Sequence, residues 1–308
     1  MKWIKKGKIF SVENNFGWMN SHSQIPTVLL LEDRLRVYFS TREVKTESKT
    51  TFLDLDVKNP KKILNINDKP ILYNGEAGTF DEHGVMPAGV LKYENKVYLY
   101  YSGWSQRCSV PYSNLTGLAV SEDNGQTFKK ISTGPILSTN IHEPYSATSP
   151  FVFFENNLFH MFYCSGTSWF KKNNKYEHSY DIKYAYSKDG INFYQDGKEI
   201  IKQKNIEEAI TRPVILKKNN LYHMYFSFRG SNDFRDGKDA YRIGYAYSED
   251  LKYWQRKDEE IVIDLSKDGW DSKMIAYPYV VQTPYGTYLF YNGNGFGQSG
   301  FGYAMLEE

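Results

Sequence analysis

Residues 207–263 contain one complete copy of a unit that the rest of the chain repeats. The unit reads EEAITRPVILKKNNLYHMYFSFRG (207–230), YRIGYAYSEDLKYWQR (241–256) and EEIVI (259–263). Its proline recurs at intervals of 61 to 65 residues, as Pro26, Pro87, Pro150, Pro213 and Pro278. A fixed period of this length is typical of repeat architectures. The sequence therefore predicts five structural units.

Each complete unit carries four stretches with β-strand composition. The second stretch has the order aliphatic, aromatic, aromatic, small polar, as in residues 37–40, 99–102, 224–227 and 289–292. The fifth unit lacks a fourth stretch, whereas residues 3–10 supply one without a unit. We therefore expect an all-β fold, a five-bladed β-propeller with four antiparallel strands per blade, in which the N-terminal strand closes the last blade.

Length and composition agree with a single domain spanning residues 1–308, since five units of about 60 residues use the whole chain. Aromatic residues make up 17% of the sequence, which suits stacked sheets. The formal net charge is only +2, from 38 basic and 36 acidic residues. This balance argues against nucleic acid or an anionic membrane as a partner.

The N-terminus MKWIKKGKIF lacks the apolar core of a signal peptide, and no apolar run is long enough to span a bilayer. We therefore expect a cytoplasmic protein. Cys108 and Cys164 lack CxxC spacing and fit reduced thiols. No motif indicates a metal or another cofactor.

Polar residues cluster before the repeat prolines and after the second strands. In a propeller both sets of loops meet at one end of the axis, where ligands generally bind. Flat aromatic side chains with arginines and carboxylates around one concavity suit a small sugar, whose ring face stacks while its hydroxyls need paired donors and acceptors. The predicted substrate-binding residues are His22, Arg42, His83, Trp104, Trp169, Arg212, Arg229, Lys273, Tyr277 and Asn292.

Residues 121–128, SEDNGQTF, match the "Asp box" of sialidases, S-x-D-x-G-x-T-W/F. Shortened forms recur at residues 187–193 and 248–254. The box is a hairpin-turn device, so we interpret it as structural.

The repeat pattern, with RP or SP opening a strand, then YHMYFS, GYAYSEDLKYW and GWDSKMIAYPYV, resembles the five-bladed propeller glycosidases of glycoside hydrolase families 43 and 32 and related groups. The resemblance covers the whole chain. It implies a catalytic Asp in blade two and an acid Glu in blade three, which correspond to Asp81 and Glu143. The equivalent segment of blade one, residues 20–24, contains no acid, so Glu208 or Asp271 would have to supply the missing carboxylate.

Two classes of function fit these observations. The first is a glycosidase-like enzyme that acts on a sugar or oligosaccharide through an acid and base pair of carboxylates. The second is a non-hydrolytic carbohydrate-binding propeller. A sialidase-like enzyme is a weaker alternative, with Arg42, Arg212 and Arg229 as its arginines. The sequence leaves open the sugar, the linkage, the stereochemical outcome and the oligomeric state.

Overall fold

The sequence repeat is visible in the strands, which are described by a computed structural model for residues 1–12, 17–43, 47–235 and 237–307. The chain begins with β1 (Trp3–Phe10). Strand group one then contains β2 (Ser21–Leu30), β3 (Arg34–Arg42), β4 (Ser48–Asp56) and β5 (Ile63–Ile66). Strand group two contains β6 (Gly84–Tyr93), β7 (Lys96–Gln106), β8 (Tyr112–Ser121) and β9 (Lys129–Lys130).

The next two strand groups follow the same plan and the last one is shorter. Strand group three contains β10 (Ala147–Glu155), β11 (Leu158–Lys172), β12 (Lys175–Ser187) and β13 (Tyr194–Ile201). Strand group four contains β14 (Ala209–Lys218), β15 (Leu221–Arg229), β16 (Arg242–Ser248) and β17 (Gln255–Arg256). Strand group five contains β18 (Ala276–Thr283), β19 (Gly286–Asn292) and β20 (Phe301–Leu306).

The N-terminal strand completes strand group five. β1 pairs antiparallel with β20 at the edge of this sheet, with Trp3 opposite Leu306 and Phe10 opposite Phe301. Trp3 is buried and its ring meets Tyr225 of strand group four edge-on, with centroids 5.6 Å apart. The predicted pairing of residues 3–10 with the last sheet is confirmed.

The first strands of the five groups contact one another in a cycle. β2 contacts β6, β6 contacts β10, β10 contacts β14, β14 contacts β18, and β18 contacts β2. The aromatic pairs of the second-strand motif are buried. Fully buried members include Tyr38, Phe39, Tyr100, Tyr101, Tyr225, Phe226, Phe290 and Tyr291.

A β-bulge interrupts the first strand of every group beside its repeat proline. The residue before the proline has a positive φ in four groups: 59° at Ile25, 50° at Ser149, 58° at Arg212 and 55° at Tyr277. Such a φ is uncommon for residues other than glycine, and bulges often lie next to active sites, where they redirect side chains.

In three groups the small polar residue that ends the second-strand motif accepts a hydrogen bond from a backbone N–H of a bulge. The Ile25 N–H donates to Asn292 Oδ1 at 2.7 Å, and the Tyr277 N–H donates to Ser227 Oγ, also at 2.7 Å. The Ser149 N–H donates to Ser102 Oγ at 3.0 Å. Since a buried N–H without a partner is unfavourable, these contacts explain why the motif ends in a polar residue.

The Asp box forms a turn, as predicted. The Gly125 N–H donates to Ser121 Oγ at 2.8 Å and the Thr127 N–H donates to Asp123 Oδ1 at 2.9 Å. The Tyr38 hydroxyl donates to the Gly125 carbonyl at 2.8 Å and thereby links strand groups one and two.

Helical structure in the described ranges comprises a 3-10 turn at Asp258–Glu260 and α1 (Asn294–Gly297). Neither of these helices has the length or the apolar character that crossing a membrane would require. Cys108 is exposed, Cys164 is buried, and both are free thiols.

Candidate functional site

A cavity of about 410 Å³ opens among the loops of the strand groups, and all five groups contribute to its lining. Aromatic side chains and arginines dominate. The lining residues used below are Gln24, Arg42, Ser48, Trp104, Tyr112, Asn114, Trp169, Glu177, His178, Tyr180, Arg229, Arg235, Tyr241 and Tyr277.

The aromatic wall is built mainly by the hairpin of β11 and β12, whose strands of 15 and 13 residues are the longest described. Trp169 stacks on His178 with ring centroids 4.0 Å apart and an angle of 13° between the planes. Tyr112 meets Trp169 edge-on at 5.1 Å. On another side, Trp104 Nε1 donates to Ser48 Oγ at 2.9 Å, which fixes that indole. Held in this way, the rings offer fixed surfaces for the face of a sugar ring.

A smaller chamber of about 140 Å³ shares part of this lining and reaches Thr148 and Thr211. Three of its buried polar atoms have no hydrogen-bond partner within the described ranges: Asn114 Oδ1, Thr148 Oγ1 and His178 Nε2. Burial, reinforced by the charge of Arg229, lowers the pKa of His178 to about 3, so its ring is neutral near pH 7. Because buried polar groups are normally paired with protein or ordered water, these three atoms give the chamber hydrogen-bonding groups that water or the hydroxyl groups of a ligand can satisfy.

Buried tyrosine hydroxyls add further polar groups. The hydroxyls of Tyr180 and Tyr241 lie 2.5 Å apart. Burial raises the pKa of Tyr241 well above its usual value, and the neighbouring Tyr180 adds to the rise. The Tyr241 phenol therefore stays neutral, and a phenol hydroxyl can both donate and accept hydrogen bonds.

Within the described part of the chain, Glu177 is the acidic residue that lines this cavity. It lies on β12, is 8% exposed, and accepts a hydrogen bond from Arg235 Nη1 at 3.1 Å.

The four acids predicted to be catalytic lie elsewhere, each held inside its own strand group. The Asp81 carboxylate accepts hydrogen bonds from the Tyr101 hydroxyl at 2.9 Å and from Lys130 Nζ at 2.6 Å. Asp271 repeats this arrangement with Tyr291 at 2.9 Å and Lys5 at 2.7 Å.

Glu143 and Glu208 have comparable partners. Glu143 accepts hydrogen bonds from the Tyr163 hydroxyl at 2.8 Å and from Ser165, and Lys183 Nζ lies 3.4 Å away. Glu208 binds both terminal nitrogens of Arg256, at 2.8 and 2.9 Å. The four acids are at most 5% exposed and do not belong to the cavity lining. The structure therefore does not bring them together at the cavity, and their contacts are those of buried ion pairs.

This placement leads to a prediction for Asp81. The substitution Asp81→Asn leaves Lys130 without its carboxylate, so we expect the free energy of unfolding to fall by about 3 kcal/mol or more. Turnover per folded molecule should be unchanged, because Asp81 is outside the cavity. Chemical denaturation measures the free energy of unfolding. The control is Asp33→Asn, which breaks an exposed ion pair with Arg34 and should change stability little. Loss of turnover without loss of stability would restore Asp81 as a catalytic candidate.

The predicted binding residues divide into two sets of five. Arg42, Trp104, Trp169, Arg229 and Tyr277 line the cavity. The other five, His22, His83, Arg212, Lys273 and Asn292, do not.

Each residue of the second set is placed by local contacts. Asn292 is fully buried and, besides capping Ile25, donates to the Ser23 carbonyl at 2.7 Å. Arg212 is 1% exposed and donates to the carbonyls of Ala88 and Pro26. His22 contacts Ser21, His83 lies against Trp104, and Lys273 is exposed. The structure thus places these five side chains outside the cavity, although Arg212 still contributes charge near it.

The comparisons with known proteins agree with this architecture. No protein-family model matches the chain. It is 34% identical over 310 residues to "Uncharacterized protein Rv1502" of Mycobacterium tuberculosis (strain ATCC 25618 / H37Rv), and the match covers 100% of both chains. The chain belongs to the family of Rv1502.

The chain is also similar to a phosphorylase over part of its length. A "Beta-1,2-mannobiose phosphorylase" of Thermoanaerobacter sp. (strain X514) is 34% identical over 145 residues, which are 44% of this chain and 46% of the relative. The match therefore covers less than half of either protein.

Solved structures show the fold. A protein described as a "Glycoside hydrolase" superposes with a TM-score of 0.76 at 19% identity, covering 98% of this chain and 90% of its own length. A thermostable family-43 glycoside hydrolase gives a TM-score of 0.66 at 19% identity, covering 93% and 89%. The chain thus has the all-β fold of the propeller glycosidase superfamily, as the sequence resemblance predicted.

Several residues that line the cavity were not predicted from the sequence. They include Tyr112, Asn114, Glu177, His178, Tyr180 and Tyr241. The length of the segment gives no signal for Glu177 and His178. Residues 166–183, between the second and third strand motifs of unit three, number 18, and the corresponding residues 228–244 of unit four number 17.

Proposed function

We propose that the protein is an enzyme acting on glycosyl bonds and that its substrate, a small glycoside, binds in the cavity described above. The observation that carries this proposal is the combination of one carboxylate, Glu177, with an aromatic wall and three unpartnered polar atoms. An apolar ring face and several hydroxyl groups are the features of a sugar that such a surface complements. The partial match to a mannobiose phosphorylase supports the same substrate class.

We infer that the five strand groups are the five blades of one propeller and that residues 1–308 form a single domain. The cycle of contacts among the first strands supports this arrangement, and so does the pairing of β1 with β20. The cavity then lies at one end of the propeller axis, which is where loops from all blades converge. A cytoplasmic location stays a prediction from the sequence.

Glu177 is the residue that we assign to proton transfer. Arg235 Nη1 donates a hydrogen bond to its carboxylate, and a carboxylate beside the anomeric carbon of a bound sugar has two uses. It can take the proton of the attacking hydroxyl, and it can stabilise the positive charge of an oxocarbenium-like transition state. As the bond from the attacking oxygen to the anomeric carbon forms, the bond to the leaving oxygen breaks, and the leaving oxygen takes up a proton from water while Glu177 holds the proton of the attacking group. The hydroxyls of Tyr180 and Tyr241 can donate hydrogen bonds to sugar oxygens during the reaction.

A second candidate function is carbohydrate binding without catalysis. It is favoured by one observation, namely that Glu177 is ion-paired and that Asp81, Glu143, Glu208 and Asp271 are held in ion pairs away from the cavity. The hydrolytic pair of carboxylates expected from the sequence would need at least one of these four acids to become available. The hydrolytic pair therefore stays a prediction from the sequence.

Time-resolved NMR on a panel of disaccharides distinguishes the candidates. The panel includes β-1,2-mannobiose, and each disaccharide is incubated with the protein in the presence and in the absence of inorganic phosphate. We expect at least one glycosidic bond to be cleaved, with a rate that falls when Trp169 is replaced by alanine. Binding of panel members without cleavage in either buffer would favour the binding protein and contradict the enzyme.

A further inference from the structure

Three arginines, Arg42, Arg212 and Arg229, form a cluster around Tyr277. Arg42, Arg229 and Tyr277 line the cavity, and Arg212 is buried on β14. Burial raises the pKa of Tyr277, and the charges of Arg229, Arg42 and Arg212 each oppose that rise. The guanidinium carbon of Arg229 lies 5.7 Å from the centre of the Tyr241 ring, which in turn lies 5.5 Å from the Tyr277 ring. That of Arg212 lies 5.5 Å from the ring of Tyr279 on the same strand as Tyr277.

Every contact that the structure gives these three guanidinium groups within the described ranges is to a neutral partner. Arg42 Nε donates to Gln24 Oε1 at 3.2 Å. Arg229 donates to the carbonyls of Gly230 and His178 at 2.8 and 3.0 Å. Arg212 donates to Thr27 Oγ1 at 2.6 Å and to backbone carbonyls, while its Nε has no hydrogen-bond partner there.

Two other arginines with low exposure, Arg36 and Arg256, are paired with carboxylates. Arg36 binds both oxygens of Asp54, at 2.8 and 2.9 Å. Arg256 binds Glu208 through two nitrogens and also contacts Asp258 at 2.9 Å. The arginine cluster therefore differs from these two arginines, although the half-buried Arg242 also donates to backbone carbonyls, those of Ala240, Tyr241 and Lys273.

A buried charge without a counter-ion is strongly unfavourable, and arginine forks are suited to carboxylate and phosphate groups. We propose that the cavity binds an oxyanion, a carboxylate or phosphate group, against Arg42 and Arg229. This inference rests on the proposed function, because the oxyanion belongs either to the glycoside itself or to inorganic phosphate acting as the second substrate. Arg212 is 1% exposed and contributes charge rather than direct contact.

Isothermal titration calorimetry of the full chain tests the proposal with four probes. The probes are inorganic phosphate, mannose 6-phosphate, methyl glucuronide and the neutral methyl mannoside. We expect at least one anionic probe to bind about tenfold or more tightly than the neutral one. Binding of inorganic phosphate alone identifies a second substrate, whereas binding of a charged sugar without phosphate binding identifies a charged glycoside.

Two variants locate the oxyanion. Arg42→Gln removes a half-buried charge, and Arg229→Lys keeps the charge but loses the planar fork. Each should weaken binding of the anionic probe about tenfold or more. Arg34→Gln removes the same charge from a surface ion pair and should leave the affinity unchanged. If Arg229→Lys fails to fold, two measurements still test the oxyanion site. They are the affinity of Arg42→Gln for the anionic probe and the rise in the melting temperature of the wild-type protein with each probe.

The proposal is wrong if no anionic probe binds more tightly than the neutral sugar, or if both cluster variants keep the wild-type affinity. These outcomes are separable from failure of the proposed function. Cleavage of neutral disaccharides without anion binding would remove the oxyanion site and keep the enzyme. Anion binding without cleavage of any glycoside would keep the oxyanion site and contradict the enzyme.

Discussion

Replacing Glu177 by glutamine should lower kcat for the cleaved glycoside by about 10²- to 10⁴-fold, the range expected when a group that transfers a proton is lost. Glutamine has nearly the same shape and keeps a hydrogen-bond acceptor for Arg235, so the hairpin of β11 and β12 should keep its position. The dissociation constant of the glycoside, measured by calorimetry, should therefore change much less than kcat. Stopped assays over the same substrate range give both kinetic parameters.

The matched control for this variant is Glu122→Gln, which removes a carboxylate that pairs with Lys96 on the surface. It should leave kcat and stability at their wild-type values. If Glu177→Gln kept the wild-type kcat, the carboxylate of the cavity would have no part in the chemistry. The acids expected from the sequence would then need to be tested in turn.

The largest expected effect on stability comes from removing the N-terminal strand. Deleting residues 1–12 exposes the edge of β20, removes the buried side chains of Trp3 and Phe10, and leaves Asp271 without Lys5. The apolar burial and the buried ion pair together correspond to a loss on the order of 5 kcal/mol or more. Since domains are stable by only about 5 to 15 kcal/mol, much of the truncated protein should be unfolded at 25 °C.

Circular dichroism during chemical denaturation measures this loss. Two single substitutions in β1 calibrate it. Trp3→Ala should account for about 3 kcal/mol of the decrease, whereas Lys8→Ala, on the exposed side of the same strand, should change stability by less than about 0.5 kcal/mol. A truncated protein with the wild-type denaturation midpoint would show that the pairing of β1 with β20 does not stabilise the fold.

The fold could be predicted from the sequence because its signals are local and repeated. The five prolines set the period, and the second-strand motif recurs with its aromatic pair, which the structure buries. Counting the strands of the fifth unit was sufficient to predict that residues 3–10 pair with the last sheet. The polar end of the motif also has a structural reason, since Ser102, Ser227 and Asn292 cap the bulges.

The site was less predictable because side-chain pairing depends on strands that are distant in sequence. Asp81 precedes a repeat proline, as expected for a residue at the mouth of a blade, yet Lys130 from the fourth strand of the group holds it in an ion pair. Nothing near Asp81 in the sequence marks Lys130 as its partner. Glu177 lies instead in the extended hairpin of unit three, where the repeat pattern gives no equivalent position for comparison.

The most direct test of where the protein acts is a crystal structure of the Glu177→Gln variant soaked with the glycoside that the disaccharide panel identifies. We expect one sugar ring against Trp169, with hydroxyls within about 3.2 Å of at least two of Asn114 Oδ1, Thr148 Oγ1 and His178 Nε2. The glycosidic bond should lie beside residue 177. A sugar bound next to Asp81 and Lys130, with the cavity unoccupied, would contradict the assignment of the site.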